Sequence, residues 1–396
     1  MKKIAILLSI ILFFSVFTSC SNESNVQKND DIITNIPSEP DVTDEPEEPT
    51  DETNGDVTDD TENTPSEPEN PAESEEPDAP TSPEELGNIN PLTGLYDGIS
   101  DEALNTRPVA IMVGNTSDSL PQWGVSQADI IYEMIAEARS TRLMAIFQDH
   151  TKIEKIASIR SARPYFIDIA QSYGAVFIHF GGSEPAYEQI SIRTDLLHID
   201  GIKYPWEGTV FFRDEWRRKE LGREHSVYTT GEYLTLGLNK LKTDLSQTEH
   251  PSAFNFGAEH SAINGTVMSK VQIRFKDKHQ PYFEYDASTG KYLRYQYNSP
   301  QMDGITNTQI AVKNLFILRM ELTDIKESDL GIIDVKTTGT GTGYYFCEGK
   351  YIEIIWEKDS YNSPINFFTA DGKELVCSPG QSFVSVVSTG SNITIE

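Results

Sequence analysis

The chain is 396 residues long and strongly acidic, with 62 Asp and Glu residues against 32 Lys and Arg residues and a net charge of −30. Because neutralising nucleic-acid phosphates requires a surplus of Lys and Arg, this balance argues against a nucleic-acid-binding protein. The charge is distributed unevenly, and it divides the chain into segments of different kinds.

The first 20 residues predict a lipoprotein signal peptide. Lys2 and Lys3 precede an apolar run over residues 4–17, which is shorter than the ~20 residues of a membrane-spanning helix. Small residues then lead to Cys20, the predicted lipidation site. We expect a palmitate-type modification of this cysteine to anchor the mature chain to the extracytoplasmic face of a bacterial cell membrane. An ordinary cleaved signal peptide with an incidental cysteine is the alternative.

Residues 21–88 predict a disordered tether. They contain 23 acidic residues and one lysine, interleaved with Pro, Thr, Ser and Asn. Such a segment buries too little apolar surface to offset the entropy lost on ordering. We expect an extended acidic spacer that separates the membrane from the folded domains. Calcium buffering or partner binding by this segment is the alternative interpretation.

The remainder of the chain predicts an α+β protein of two domains, since its length exceeds what one core usually holds. A stretch over residues 242–267 lacks hydrophobic periodicity and separates a mixed α/β domain at 89–245 from a mainly β domain at 265–396. In the first domain, apolar runs predict strands at 108–113, 130–135, 143–147 and 175–180, although 128–142 also has helix-forming composition. Helices are expected at 164–172, with Pro164 as first residue, and at 184–190.

Runs rich in β-branched and aromatic residues predict the strands of the second domain, at 267–275, 282–285, 292–297, 310–320, 352–356 and 383–387. The alternating Gly339, Gly341 and Gly343 predict a hairpin or bulge. They do not predict a phosphate loop, because neither a strand-to-helix transition nor a Lys-Ser/Thr pair follows them. Cys347 and Cys377 are compatible with a disulfide outside the cytoplasm and equally with two buried thiols.

Several sequence runs resemble the YerB-like lipoprotein family of Gram-positive bacteria. The runs are Asn90-Pro-Leu-Thr-Gly94, Ala128-Asp-Ile-Ile-Tyr-Glu133, Arg160-Ser-Ala-Arg-Pro-Tyr165, His179-Phe-Gly-Gly-Ser183 and Pro379-Gly-Gln-Ser-Phe383. The resemblance extends over residues 90–387. It implies two domains of unknown function, a lipid anchor and a strand at 130–135, and it brings no catalytic residue.

Two of these runs predict an anion-tolerant cleft. Arg160 and Arg163 place two guanidiniums beside the start of a helix, where Ser161 is expected to be the cap. A glycine pair follows His179 and offers a second group of backbone N–H donors. Simple ion pairing of the arginines with nearby carboxylates is the alternative. The predicted ligand-binding residues are Arg160, Ser161, Arg163, His179, Gly181, Gly182, Ser183, Arg142 and Arg213.

The catalytic candidates are His179, as a general acid or base, and the carboxylates of Glu133 and Glu137. Ser161 and Ser183 lack the Gly-x-Ser-x-Gly elbow of a nucleophilic serine. The scattered histidines predict no metal site, and no cofactor is expected. His225 is either a second histidine near the cleft or part of a surface loop.

Three functional hypotheses follow. The first is a membrane-anchored lipoprotein that binds an anionic envelope or solute ligand in the N-terminal cleft, and we rank it above the others. The second is a cell-envelope hydrolase or transferase that uses His179 and a carboxylate. The third is a protein-partner scaffold whose β domain presents an aromatic surface, although core packing of the same rings is the preferred interpretation. Its rings are those of Tyr344, Tyr345, Tyr351 and Trp356.

Overall fold

The computed structural model describes residues 87–137, 140–247, 254–275, 279–325 and 331–396. The predicted signal peptide, the lipidation site at Cys20 and the acidic tether lie outside the described residues. Within the described ranges, no helix is both long enough and apolar enough to cross a membrane.

The α-helices of the described residues all lie in the N-terminal half. Pro164 is the first residue of α2, where its missing N–H is not needed. Ser183, Asp214 and Thr230 each accept a backbone N–H at the start of a later helix. The helices are α1 (Asp101–Leu104), α2 (Pro164–Ser172), α3 (Glu184–Ile192), α4 (Glu215–Glu220) and α5 (Gly231–Lys240).

The N-terminal half also contributes the first ten strands of the described chain. They are β1 (Asn88–Ile89), β2 (Tyr96–Ile99), β3 (Val109–Gly114), β4 (Ile130–Glu137), β5 (Ser140–Phe147), β6 (Ile156–Ala157), β7 (Val176–His179), β8 (His198–Asp200), β9 (Phe212–Arg213) and β10 (Val227–Thr229). Every residue of β3 is buried, so its continuous apolar run reflects a strand that is covered on both faces.

The C-terminal half is built mainly of strands. They are β11 (Asn255–Phe256), β12 (Thr266–Val267), β13 (Lys270–Ile273), β14 (Tyr282–Asp286), β15 (Lys291–Gln296), β16 (Ser299–Pro300), β17 (Ala311–Val312), β18 (Asn314–Met320), β19 (Leu322–Asp324), β20 (Ile333–Val335), β21 (Gly339–Cys347), β22 (Lys350–Lys358), β23 (Asn366–Thr369), β24 (Val376–Cys377), β25 (Ser382–Ser388) and β26 (Ile393–Ile395).

One sheet crosses both halves of the described chain. Its strand order is β12-β22-β21-β18-β25-β4-β5-β3-β7-β8, with β23 also paired to β22. The two halves meet where β25 of the C-terminal half pairs with β4 of the N-terminal half. β25 runs parallel to β18 on one side and to β4 on the other. The two halves therefore share a hydrogen-bonded sheet and a continuous apolar core. The domain bounds drawn from the sequence stay a prediction.

A second, six-stranded sheet belongs to the C-terminal half. Its spatial strand order is β16-β15-β14-β13-β26, and β17 is also paired to β15. Its strand β15 contributes Arg294, which reaches Glu133 on β4 of the central sheet. The two sheets are thus joined by a buried ion pair as well as by apolar packing.

The α+β prediction is confirmed, with a mixed N-terminal half and a mainly β C-terminal half. The strands predicted at 267–275 and 310–320 are each divided in two. The chain passes from one sheet to the other at Met268-Ser269 and again at Lys313. The glycine alternation lies in β21, which forms a hairpin with β22 through Glu348 and Gly349, as predicted. Both turn residues have positive φ.

The structure supports core packing of the aromatic rings, which was the preferred interpretation over an aromatic surface. Tyr345 and Trp356 are buried, and both donate hydrogen bonds inside the protein. Tyr344 and Tyr351 are partly buried and pack against the core. Cys347 and Cys377 are free, buried thiols in this structure.

Candidate functional site

The two arginine- and glycine-containing runs of the N-terminal half lie side by side. The loop before α2 is hydrogen-bonded to β3 through the Arg160 N–H and the Met112 carbonyl, at 3.0 Å. On its other side, the Phe180 N–H donates to the Arg160 carbonyl at 3.0 Å, and the Ala162 N–H donates to the Gly181 carbonyl at 2.8 Å. The loop is therefore held between the ends of two neighbouring strands of the central sheet.

The expected cap of α2 is corrected by the structure. The residue before the helix is Arg163, in an extended conformation, and its side chain makes no capping hydrogen bond. Ser161 lies two residues earlier, and its carbonyl accepts a hydrogen bond from Arg142. The N-terminus of α2 therefore carries no hydroxyl cap.

A cavity of about 280 Å³ lies beside this loop. We name it the arginine cavity after Arg160, Arg213 and Arg223, which line it together with Ser161 and Phe180. Three of the predicted ligand-binding residues, Arg160, Ser161 and Arg213, thus meet at one cavity. Arg223 was not among the predicted ligand residues, although its charge next to His225 was a usable signal.

Two of the three arginines of this cavity pair with carboxylates that remain in contact with water. The guanidinium of Arg160 lies 3.3 Å from Glu224, whose side chain is 69% exposed. The guanidinium of Arg213 lies 3.0 Å from Glu207, whose side chain is 50% exposed. Because the glutamate side chains are exposed, these pairs are expected to contribute only about 0–1 kcal/mol.

Arg142 and Arg163 form a separate cluster around Glu137. Both guanidiniums contact the same carboxylate oxygen, the one from Arg142 at 2.6 Å. Burial lowers the pKa of Arg142 to about 9, and the nearby charge of Arg160 acts in the same direction. These two predicted ligand residues therefore serve an internal ion-pair cluster, and neither lines the arginine cavity.

His179 is fully buried at the end of β7. Its Nδ1 lies 2.8 Å from the Gly181 carbonyl and its Nε2 lies 3.1 Å from Nδ1 of His198. Since a carbonyl only accepts, Nδ1 carries the proton and Nε2 is the acceptor. Burial lowers the pKa of His179 to about 4, which keeps the ring neutral at pH 7. Both nitrogens are engaged within the protein, and His179 does not line the arginine cavity.

The backbone donors of the glycine turn are also engaged within the protein. The Gly181 N–H donates to Asp200 at 2.8 Å, and the Ser183 hydroxyl accepts the Ala186 N–H at 3.3 Å as the cap of α3. Gly182 is partly buried, and its neighbour Ala162 forms a parallel bridge to it. The predicted anion nest at 181–183 is therefore occupied by protein groups.

The remaining catalytic candidate, Glu133, lies in the interior between the two sheets. It contacts Arg294 at 2.8 Å and His279 at 3.1 Å. Burial raises the pKa of Glu133, but the charges of Arg294 and His279 outweigh that effect and hold its pKa below the usual range. Glu133 is an ionised structural carboxylate with no access to solvent.

His225 does not line the arginine cavity, although its Nε2 lies 3.5 Å from the carboxylate of Glu224, which does. Its Nδ1 lies 3.1 Å from the Ser119 hydroxyl, and the side chain is buried. Among the described residues, no cluster of three or more His, Cys, Asp or Glu side chains has the arrangement of a metal site.

Comparison with known proteins places this architecture in a family of two-domain proteins. Residues 92–246 match the model described as "Protein of unknown function (DUF3048) N-terminal domain", and residues 271–384 match the corresponding "C-terminal domain" model. The chain belongs to this family, that of the YerB-like lipoproteins.

One relative was found both by sequence and by structure. The protein named "Putative lipoprotein YerB" of Bacillus subtilis (strain 168) is 28% identical over 300 residues, which cover 75% of this chain and 85% of that protein. A crystal structure of the YerB protein from Bacillus subtilis aligns with a TM-score of 0.67 and 26% identity. That alignment covers 78% of this chain and 100% of the crystallised chain.

Proposed function

We propose that this chain is a lipid-anchored protein of the extracytoplasmic face of the cell membrane, which binds a small anionic ligand in the arginine cavity. The anchor rests on Lys2, Lys3, the short apolar run and Cys20, and on the name of the Bacillus subtilis relative. The acidic segment 21–88 then serves as the spacer that holds the binding domain away from the membrane.

The observation that carries ligand binding is the convergence of three guanidiniums on one small cavity of an acidic protein. Arg160, Arg213 and Arg223 line it, and Glu224 is the one carboxylate among the lining residues. Planar guanidiniums match the oxygen spacing of phosphate and carboxylate groups and bind them through paired N–H donors. A volume of about 280 Å³ favours a small ligand, such as a phosphorylated polyol or sugar.

The hydrolase or transferase alternative gains no support from this geometry. His179, Glu133 and Glu137 are each engaged with protein groups, and none of them lines the arginine cavity. The partner-scaffold alternative loses Tyr345 and Trp356, which are core residues. We therefore propose binding without an assigned reaction.

Calorimetric titration of the full chain with glycerol 3-phosphate and inorganic phosphate tests the proposal. We expect binding at low ionic strength, weakened about tenfold or more in Arg160→Gln and in Arg213→Gln, because each loses a charged hydrogen-bond donor. The matched control is Arg218→Gln, which removes the same charge from an exposed position of α4 outside the cavity. Equal weakening in all three variants would show a general charge effect and would overturn the site.

A further inference from the structure

A second cavity, of about 560 Å³, lies where the N-terminal and C-terminal halves meet. We name it the junction cavity and define it by Asn90, Asp97, Asp129, Lys291, Lys313 and Gly380. It shares no described lining residue with the arginine cavity. Its volume is within the range of sites that hold small molecules in proteins.

The junction cavity is bordered by two sequence runs that the arginine cavity does not use. The Gly380 N–H donates to the Thr93 carbonyl at 2.7 Å, which joins Asn90-Pro-Leu-Thr-Gly94 to Pro379-Gly-Gln-Ser382. Gln381 extends the link, since its side-chain amide donates to the Ala128 carbonyl at 2.8 Å. These bonds connect the two sides, so the cavity is preformed.

The side of the junction cavity from the N-terminal half is acidic. Asp97, Asp129 and Asp149 line it together with Lys152. The ammonium of Lys152 lies 3.9 Å from the carboxylates of both Asp97 and Asp149. One lysine is thus shared by two aspartates, and within the described residues Asp129 has no Lys or Arg within 4 Å.

Hydrogen bonds from neighbouring groups hold the Asp129 carboxylate in place. It accepts hydrogen bonds from the Asn90 amide at 3.0 Å and from the Gln148 N–H at 2.7 Å, which fix its orientation. Burial raises the pKa of Asp129 to about 7, and the negative charge of Asp97 contributes to this rise. A nearby ammonium strongly stabilises the charged form of such a carboxylate.

The charged lining residues from the C-terminal half are basic. Lys291 is exposed at the start of β15, and within the described residues no carboxylate lies within 4 Å of its ammonium. Lys313 lies 2.8 Å from Glu348, whose side chain is about half exposed. A side chain at Gly380 would place its Cβ 2.4 Å from the Cβ of Lys313, so glycine allows this close packing.

We propose that the junction cavity binds a small zwitterion, a free amino acid or a short peptide with free ends. The ammonium of the ligand contacts Asp129 and Asp97, and its carboxylate contacts Lys291 and Lys313. A ligand with a single charge leaves one side of the cavity without a partner, whereas a zwitterion pairs with both. This site is additional to the arginine cavity and does not depend on it.

Titration of the full chain with L-alanine, with L-alanyl-L-alanine and with two end-blocked forms of the dipeptide tests the proposal. Tighter binding of the dipeptide indicates a peptide ligand, and tighter binding of alanine indicates a free amino acid. N-acetylation removes the ammonium and C-terminal amidation removes the carboxylate. We expect each blocked form to bind about tenfold more weakly, because each loses one charged contact.

Two variants assign the ends of the ligand. Asp129→Asn and Lys291→Gln are each expected to weaken binding about tenfold, while the controls Asp195→Asn and Lys219→Gln, at exposed positions outside the cavity, leave it unchanged. Because Lys291 is exposed, its variant tests the site even where Asp129→Asn fails to fold. No binding at millimolar ligand, or blocked dipeptides that bind as tightly as the free dipeptide, would overturn the proposal. Neither result bears on the proposed anion binding through Arg160, because the two cavities share no described lining residue.

Discussion

The carboxylate of Glu133 on β4 and the guanidinium of Arg294 on β15 form an ion pair of 2.8 Å in which neither side chain is exposed to solvent. The two residues are separated by 161 positions in the chain and belong to different halves of the protein. Asn115 also donates to the Glu133 carboxylate, at 2.9 Å, so the pair is embedded in further hydrogen bonds. The orientation of the two halves therefore depends on a buried charge network as well as on the shared sheet.

Substitution of Glu133 by Gln is expected to destabilise the protein by about 3–5 kcal/mol, because it leaves the charge of Arg294 buried without a carboxylate. Chemical denaturation measures the loss. The control is Glu284→Gln, which removes the partner of Lys270 in a more exposed pair of 3.5 Å and is expected to cost less than about 1 kcal/mol. Equal losses in the two variants would contradict the structural role of the buried pair.

The same pair predicts a dependence of stability on acid pH. The folded pKa of Glu133 lies below its unfolded value of about 4.3, so its contribution is present above that pH and is lost as pH falls through the folded pKa. The gap in unfolding free energy between wild type and Glu133→Gln should therefore narrow below about pH 4. Denaturation at a series of pH values measures it, and a constant gap down to pH 3 would refute this assignment.

Replacing Glu224 by Gln is expected to strengthen anion binding in the arginine cavity. Glu224 competes with the ligand for Arg160, and its exposed side chain contributes little to stability. We predict an affinity several-fold higher than wild type, with a melting temperature changed by little. The control Glu220→Gln removes an exposed carboxylate outside the cavity. A loss of affinity in Glu224→Gln would instead indicate that Glu224 itself contacts the ligand.

Ser183 provides a test that separates folding from binding. Ser183→Ala removes the cap of α3 and is expected to cost about 1 kcal/mol of stability. Because the hydroxyl already accepts the Ala186 N–H, anion affinity should remain within about twofold of wild type. Thermal unfolding and calorimetry on the same sample distinguish the two effects. A tenfold loss of affinity with unchanged stability would restore Ser183 to the ligand site.

Local patterns predicted α2, α3 and most of the longer strands. Pro164 marks the start of α2, and the apolar runs near Val109 and Ile130 identify strands, because both signals act within a few residues. α4 was missed, since five of its six residues are charged and it shows no apolar periodicity. The parallel pairing of β25 with β4 was also missed, because the contact joins segments more than 200 residues apart and neither strand identifies its partner.

The arginine pair shows why the site was predicted only in part. A spacing of three places side chains on one face of a helix, but on opposite sides of an extended segment. Arg163 is extended, with φ −133° and ψ 150°, and the helix begins only after it. Arg160 therefore reaches the cavity while Arg163 pairs with Glu137. Arg223 comes from a separate loop 60 residues away, which the sequence alone does not bring to this site.

The most direct measurement is a crystal structure of the protein soaked or grown with glycerol 3-phosphate. We predict the phosphate in the arginine cavity, within hydrogen-bond distance of the guanidiniums of Arg160 and Arg213, with Glu224 displaced from Arg160. An empty cavity at saturating ligand, with the Arg160–Glu224 and Arg213–Glu207 pairs intact, would contradict the proposed anion site.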